Sequence, residues 1–256
     1  MMTISAVPCP VLSKENSAAG VYDVWVSAPQ AETAKAGQFV GIRCGGFTLR
    51  RPISICEIDR ERGRLRLVFE ERGEGTHWLA GVRVGESMDI LAPLGNGFNL
   101  GSTDRSAVFV GGGIGVPPLL EAAKPFAGHA DAILGFRSKT NVILQADFER
   151  QGVGVTVVTQ DGTEGETGVV TPFLEKRLDT APCEVIFACG PRPMLAAVAK
   201  VAEERKIPCF VSMEARMACG VGACLSCAIP VRVGSDIENW HVCKNGPVFD
   251  ASKIVW

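Results

Sequence analysis

Four cysteines crowd one stretch near the C-terminus of the chain, in the order Cys219-x4-Cys224-x2-Cys227 followed by Cys243. From Phe210 onward regular hydrophobic patterning fades into a loop-rich segment too short to build a core of its own, so it needs a staple to be ordered. Soft thiolate ligands are such a staple, and this spacing is the plant-type one for a [2Fe–2S] cluster. Gly220, Gly222 and Ala223 suit a loop that wraps such a group, since small residues allow tight turns and leave N–H groups free to approach sulfur. A four-thiolate zinc site and four unrelated buried thiols are the competing readings. Zinc ribbons more often pair two C-x2-C knuckles, and Cys219 and Cys243 are not so paired. The remaining cysteines, Cys9, Cys44, Cys56, Cys183, Cys189 and Cys209, are scattered along the chain and form no ligand set.

The rest of the 256 residues has room for two further domains. Val21–Val26, Phe39–Cys44, Ile53–Ile58, Arg64–Glu70 and Ser87–Leu91 read as short strands separated by turns. Leu65, Leu67 and Phe69 alternate with charged residues, as on a strand with one buried face. An N-terminal antiparallel β-barrel or sandwich over residues 1–101 follows, of which the barrel is the expectation. Beyond Leu94-Gly95-Asn96-Gly97-Phe98 the pattern becomes apolar strands alternating with helical segments: Ala107–Val110, a helix near Pro118–Lys124, Ala132–Phe136, Val153–Thr159, Glu184–Ala188 and a helix over Met194–Lys206. This predicts an α/β doubly wound nucleotide-binding domain over 102–209, and leaves 210–256 as a small C-terminal iron–sulfur domain.

Two turns carry the nucleotide signal. Gly111-Gly112-Gly113-Ile114-Gly115-Val116-Pro117-Pro118 follows an apolar strand and opens a helix, where unpaired N–H groups meet a pyrophosphate and glycine lets it approach. The two prolines are tolerated because the first helical N–H groups need no intrahelical partner. Taken alone, this loop is equally a tightly packed strand-to-helix turn. Cys189-Gly190-Pro191-Arg192-Pro193-Met194 stands in the same relation to the strand Glu184–Ala188, and two such turns on one sheet edge a common crevice at the strands' carboxyl ends. Cys189 is positioned there to face a nicotinamide or to serve as a small buried hydrophobe. Arg137, Ser138 and Lys139 follow Ala132–Phe136 and suit an adenosine 2′-phosphate, which keeps NADP open beside NAD.

Arg51-Pro52-Ile53-Ser54 lies at a strand start, where an arginine pairs with a pyrophosphate and a serine hydroxyl hydrogen-bonds a flavin ring nitrogen; a solvated basic edge strand is the alternative. The order of R-P-x-S on a barrel, G-G-G-x-G-x-x-P on a sheet and then C-G-P resembles the ferredoxin–NADP reductase superfamily across residues 21–206. With the loop Met217–Cys227 added, the whole chain resembles the electron transfer subunits of B-type dihydroorotate dehydrogenases, including Arg50–Ile55, Pro93–Phe98, Gly111–Pro118 and Cys189–Met194. The resemblance implies FAD held by Arg51, Pro52, Ile53 and Ser54, with Val68, Phe69 and Glu70 beside the flavin and Gly75 and Thr76 at its phosphates. It implies NAD as the dinucleotide, for which Gly111, Gly113, Gly115, Gly190 and Pro191 of the two turns are the candidate contacts; Ser54 and Cys189 are the candidates for the reacting edge, and Cys219, Cys224, Cys227 and Cys243 the candidate ligands of the [2Fe–2S] cluster. It also implies a flavin-containing dihydroorotate dehydrogenase catalytic subunit as partner, in a heterotetramer serving pyrimidine biosynthesis. Related flavin and iron–sulfur subunits, of a ferredoxin–NADP oxidoreductase or a hydrogenase, are the alternative.

A net charge of −2, with 46% hydrophobic and 21% charged residues, describes an ordinary globular chain and gives no electrostatic reason to expect nucleic acid or an anionic membrane. Residues 1–14 lack the basic start and apolar stretch of an export signal, so a cytoplasmic protein is expected. His77, His129 and His241 fall in no ligand or triad pattern and are expected at the surface or in packing.

Overall fold

The computed structural model describes residues 4–256; Met1, Met2 and Thr3, the start of the segment read for an export signal, lie outside them. The chain packs as two compact units. One comprises the chain up to Phe98 with Glu214–Ile229 and Asn239–Pro247; the other comprises Asn99–Met213, Pro230–Glu238 and Val248–Trp256.

The first unit is built on a closed antiparallel barrel of β1 (Ser5–Ala18), β2 (Val21–Ser27), β3 (Phe39–Arg43), β4 (Arg51–Asp59), β5 (Arg64–Glu70) and β6 (Ser87–Leu94), in the order β1-β2-β5-β4-β3-β6. Its interior is filled from every strand by Val11, Val24, Val26, Ile42, Ile55, Leu65, Leu67 and Ile90, all fully buried. Closure removes the open edges that a six-stranded sheet would otherwise present. On β5, Arg66 reaches Asp23 of β2 at 2.6 Å and Glu57 of β4 at 3.2 Å, so a charge on the barrel wall is paired on both flanks. Helix α1 (Glu74–Gly81) follows β5. Thr76 caps it: its hydroxyl accepts from the N–H of Arg72 at 2.8 Å and of Gly73 at 3.1 Å.

Strand β1 is an addition to the sequence reading, in which Val21–Val26 is the first strand of the 1–101 barrel. Pro8, Pro10 and the charged run near Lys14 obscure its pattern, and it is half-exposed along much of its length. Pairing with β2 on one side and β6 on the other orders it.

The second unit carries a seven-stranded sheet. Its elements are β7 (Ala107–Gly112), α2 (Pro117–Ala123), β8 (Ala130–Phe136), α3 (Gln145–Arg150), β9 (Gly154–Thr159), β10 (Glu166–Thr167), α4 (Val170–Thr180), β11 (Val185–Cys189), α5 (Arg192–Glu204) and β12 (Cys209–Ser212). These strands run parallel in the order β10-β9-β8-β7-β11-β12, so the chain winds outward from β7 in one direction and then from β11 in the other. The reversal between β7 and β11 is the topological switch point where doubly wound sheets bind ligands. Phe109 and Phe187 stack across these two strands with ring centroids 5.1 Å apart.

The C-terminal stretch is more regular than its sequence suggests. It forms the hairpin β13 (Ala228–Val233) and β14 (Asp236–His241), the turn of helix α6 (Val242–Asn245), and β15 (Val248–Asp250). The last pairs antiparallel with β12 as the edge strand of the second sheet. Among the described residues, no helix is long and apolar enough to cross a membrane.

Candidate functional site

Arg51 opens β4, and its guanidinium lies over the Phe47 ring at 5.1 Å while donating to the Leu49 carbonyl at 2.6 Å. A Cβ at Gly75 would collide with that guanidinium, so the second residue of α1 must be small for the arginine to sit against the helix start. Arg51 and the first turn of α1 thus meet, and together they offer a phosphate a forked cation and helix N–H groups. The Thr76 hydroxyl is engaged in capping, so Thr76 serves by fixing the helix start. Beside it, Phe47, Arg72, Glu74, His77 and Trp78 line a cleft of about 650 Å³. His77 is exposed there and pairs with Glu71 at 2.7 Å. Motif reading does not reach Phe47 and Trp78: the β3–β4 loop places Phe47 under Arg51, and the pitch of α1 places Trp78 on the same cleft as Phe47.

Ser54 stands three residues along β4, half-buried and directly opposite Phe39 of β3. Ile53 is buried and Pro52 exposed, as strand alternation requires. Val68 and Phe69 are 1% and 2% exposed, and Phe69 stacks on Tyr22 at 5.6 Å, so their side chains are committed to packing and only their main chain is available to a flavin. Glu70 accepts from Arg72 at 2.5 Å.

In the second unit the two turns meet at the switch point. Gly111 on β7 is in register with Cys189 on β11. A Cβ at Gly115 would lie 2.5 Å from the Cys189 carbonyl oxygen and 2.6 Å from Gly190 Cα, and one at Gly112 would lie 2.6 Å from Met194 Sδ. The glycines therefore let two main-chain turns touch, with Gly113 at φ 54 and Gly190 at φ 157. Pro191 is exposed beside them, whereas Cys189 is 3% exposed. After β8, Arg137 is exposed, but Lys139 is paired with Glu164 at 2.9 Å and gives its main-chain N–H to the Thr163 hydroxyl. The basic stretch that suggested a 2′-phosphate is thus answered by an acidic loop.

The four cysteines of the C-terminal loop come together as two pairs. Cys227 and Cys243 sulfurs are 3.3 Å apart, and the Cys224 thiol hydrogen-bonds Cys219. Two thiolates on one tetrahedral metal ion with bonds of about 2.3 Å stand about 3.7 Å apart, so the 3.3 Å between the Cys227 and Cys243 sulfurs is close to the spacing of two ligands on one iron. Among the described residues, no group of three or more His, Cys, Asp or Glu side chains is gathered as the ligand set of a metal ion. Main-chain N–H groups aim at these sulfurs: Val221 at 3.4 Å, Ala223 at 3.2 Å and Cys224 at 3.4 Å from Cys219, Gly222 at 3.1 Å from Cys243, and Cys243 at 3.4 Å from Cys227. Gly220, Gly222 and Leu225 turn the loop with φ of 72, 82 and 59. Burial opposes ionisation of the Cys219 thiol, but the N–H groups of Val221, Cys224 and Ala223 and the Cys224 thiol outweigh it and bring it down to about 6. Burial, followed by the Cys227 thiol, pushes Cys243 up. A donor set of four thiols with N–H groups already directed at sulfur fits a bound iron–sulfur cluster. Val221 and Leu225 on the same loop are 45% and 60% exposed.

Residues 214–255 match the iron-sulfur cluster binding domain of dihydroorotate dehydrogenase B. The electron transfer subunit of the NAD(+) dihydroorotate dehydrogenase B of Geobacillus kaustophilus is 41% identical over 232 residues, covering 88% of each chain. That of Streptococcus mutans is 37% identical over 252 residues, covering 96% of each. Among solved structures, that of the NADH-dependent reduced ferredoxin-NADP oxidoreductase contains a chain that superposes with a TM-score of 0.87 at 28% identity, over 98% of this chain and 90% of that one. A ferredoxin reductase of carbazole 1,9a-dioxygenase shares the fold with a TM-score of 0.68 at 20% identity, over 80% of this chain and 67% of that one. With such identity over 88–96% of its length, the chain belongs to the family of dihydroorotate dehydrogenase B electron transfer subunits.

Proposed function

We propose that this chain is the electron-transfer subunit of a dihydroorotate dehydrogenase, passing electrons from a flavin-containing catalytic subunit through a [2Fe–2S] cluster and FAD to NAD, in pyrimidine biosynthesis. The observation that carries the reading is the coexistence, in one chain of this family, of an Arg51–Gly75 phosphate cradle, a double glycine turn at a sheet switch point and a paired thiol quartet. Bound FAD would supply an acceptor that takes single electrons and exchanges hydride with a nicotinamide, and the cluster a one-electron relay.

The chain's own residues bind and orient. Arg51 and the start of α1 hold the flavin pyrophosphate, Pro52 and Ile53 set the strand, and Ser54 hydrogen-bonds the flavin ring. The main chain of Val68 and Phe69, with Glu70, borders it. Gly111, Gly113, Gly115, Gly190 and Pro191 seat the dinucleotide, and Cys189 faces the nicotinamide. The NAD(+) designation of the relatives supports NAD over NADP. Cys219 and Cys224 hold one iron, Cys227 and Cys243 the other. By role the chain divides into an FAD-binding part over 1–101, an NAD-binding part over 102–209 and a cluster part over 210–256. The partner docks over the exposed Val221 and Leu225, in a cytoplasmic heterotetramer.

The test compares the chain alone with the chain plus its catalytic subunit, under anaerobic conditions. The chain alone is expected to oxidise NADH with artificial acceptors and to leave dihydroorotate untouched; the pair oxidises dihydroorotate with NAD. Turnover of dihydroorotate by the isolated chain would overturn the assignment. An inactive pair would favour the ferredoxin-linked complexes to which the likeness at a TM-score of 0.87 also leads.

A further inference from the structure

None of the candidate nucleotide contacts lies on the turn after β6, yet the turn is tied closely to the far end of the chain. Asn96 is exposed, so water would satisfy its polar groups at no cost to the fold. They are instead spent on the segment that carries Cys243. Its main-chain N–H donates to the Gly246 carbonyl at 2.6 Å, and its side-chain Nδ2 donates to the Lys244 carbonyl at 2.9 Å, across 148 residues of sequence. Both acceptors are carbonyls at or just past the end of α6, the ones a helix leaves without intrahelical partners. The start of the same short helix is held by the Val242 N–H on the Cys227 carbonyl at 3.0 Å.

Gly95 is pressed between the Phe39 ring and Pro247: a Cβ there would lie 2.9 Å from the ring and 2.6 Å from Pro247 Cδ. Its φ of 71 and the hydrogen bond from Gln38 Nε2 to its carbonyl at 2.6 Å fix the turn, and Gln38 is itself 1% exposed. Leu94, next in the row, has its Cδ1 3.4 Å from the place of a Cβ on Gly220, the neighbour of Cys219. Phe39 pairs with Ser54 on one side and with Leu94 on the other. Ser54, Phe39 and Leu94 therefore form one cross-strand row, two strand spacings or about 10 Å wide.

We propose that Leu94–Asn96 is the device that registers the thiol loop against the flavin end of the barrel, with Asn96 as the positioning residue that pegs the Cys243 turn. The proposal rests on the assignment of FAD and the cluster to these two ends. The turn sets the separation between the two redox groups and keeps the Cys227–Cys243 pair in place, without touching either nucleotide.

The test uses the full-length chain, purified anaerobically with its FAD, as wild type and as Asn96→Ala, Asn96→Asp and Asn96→Gln. Alanine removes the donor, aspartate keeps the shape while placing a carboxylate against a carbonyl, and glutamine keeps a donor. Hydrogen exchange of the Gly222 and Cys243 amides and release of iron to a chelator are read alongside flavin content and the rates of flavin and cluster reduction after mixing with NADH. For alanine and aspartate, the expected results are amide exchange and iron release about fivefold faster, the worth of one hydrogen bond, and slower cluster reduction in molecules that retain iron. Flavin content and flavin reduction change less than twofold, and glutamine recovers most of the loss. Exchange and iron release equal to wild type in the aspartate variant would overturn the proposal. Loss of FAD and fold together would also overturn it, by making Asn96 a general structural residue. A wild-type chain that binds no iron and sulfide would refute the functional reading instead.

Discussion

Replacing Gly75 by alanine separates phosphate binding from folding, because the two effects have opposite signs. In the helix, alanine is favoured over glycine by up to about 1 kcal/mol, and Gly75 needs no left-handed backbone. That would leave the melting temperature unchanged or raise it by about 2–4 °C. The new Cβ, however, falls on the Arg51 guanidinium, which has to leave its place between Phe47 and the start of α1. A charge-assisted hydrogen bond to a flavin phosphate is worth roughly 1.5–3 kcal/mol, or about 10- to 150-fold in dissociation constant. Titration of the apo chain with FAD, followed by flavin fluorescence, should show that loss, with melting curves of the apo chain recorded in parallel. An unchanged FAD affinity would mean that Arg51 and Gly75 do not hold the phosphate. A lower apo melting temperature would mean that the helix argument is wrong.

Cys224→Ser should reduce iron and acid-labile sulfide well below about two of each per chain while most FAD is retained, since the flavin residues lie on other elements; loss of both would join the two sites. Ser54→Ala should slow flavin reduction by NADH with little change in melting temperature, because a half-buried hydroxyl on β4 contributes little packing; an unchanged rate with FAD bound removes Ser54 from the site. Gly115→Ala should raise the NADH concentration for half-maximal flavin reduction by about 5- to 150-fold, as a Cβ 2.5 Å from the Cys189 carbonyl forces two main-chain turns apart at a cost of about 1–3 kcal/mol; iron content should stay unchanged.

The chain's local signals determined much of this by themselves. Arg64–Glu70 alternates with period two and is strand β5 over the same residues. Ala107–Val110 followed by glycines is β7 running into its turn, and Cys189-Gly190-Pro191 ends β11 as its apolar run implies. The thiol spacing singled out the candidate quartet, of which Cys219, Cys224 and Cys227 share one loop, whereas Cys243 reaches Cys227 from α6, across the β13–β14 hairpin. Local signals fail where order comes from a distant partner. β1 has prolines and a weak alternation, and is a strand because β2 and β6 present open edges to it. β15 is three residues long and exists only as an addition to β12. Phe47 and Trp78 line a cleft with Arg72 and His77 because a loop and a helix bring them there. The bond from Asn96 to Lys244 spans 148 residues and no periodicity announces it. Hydrogen bonds and contacts of this kind join residues that no local pattern links, so tertiary structure alone decides them.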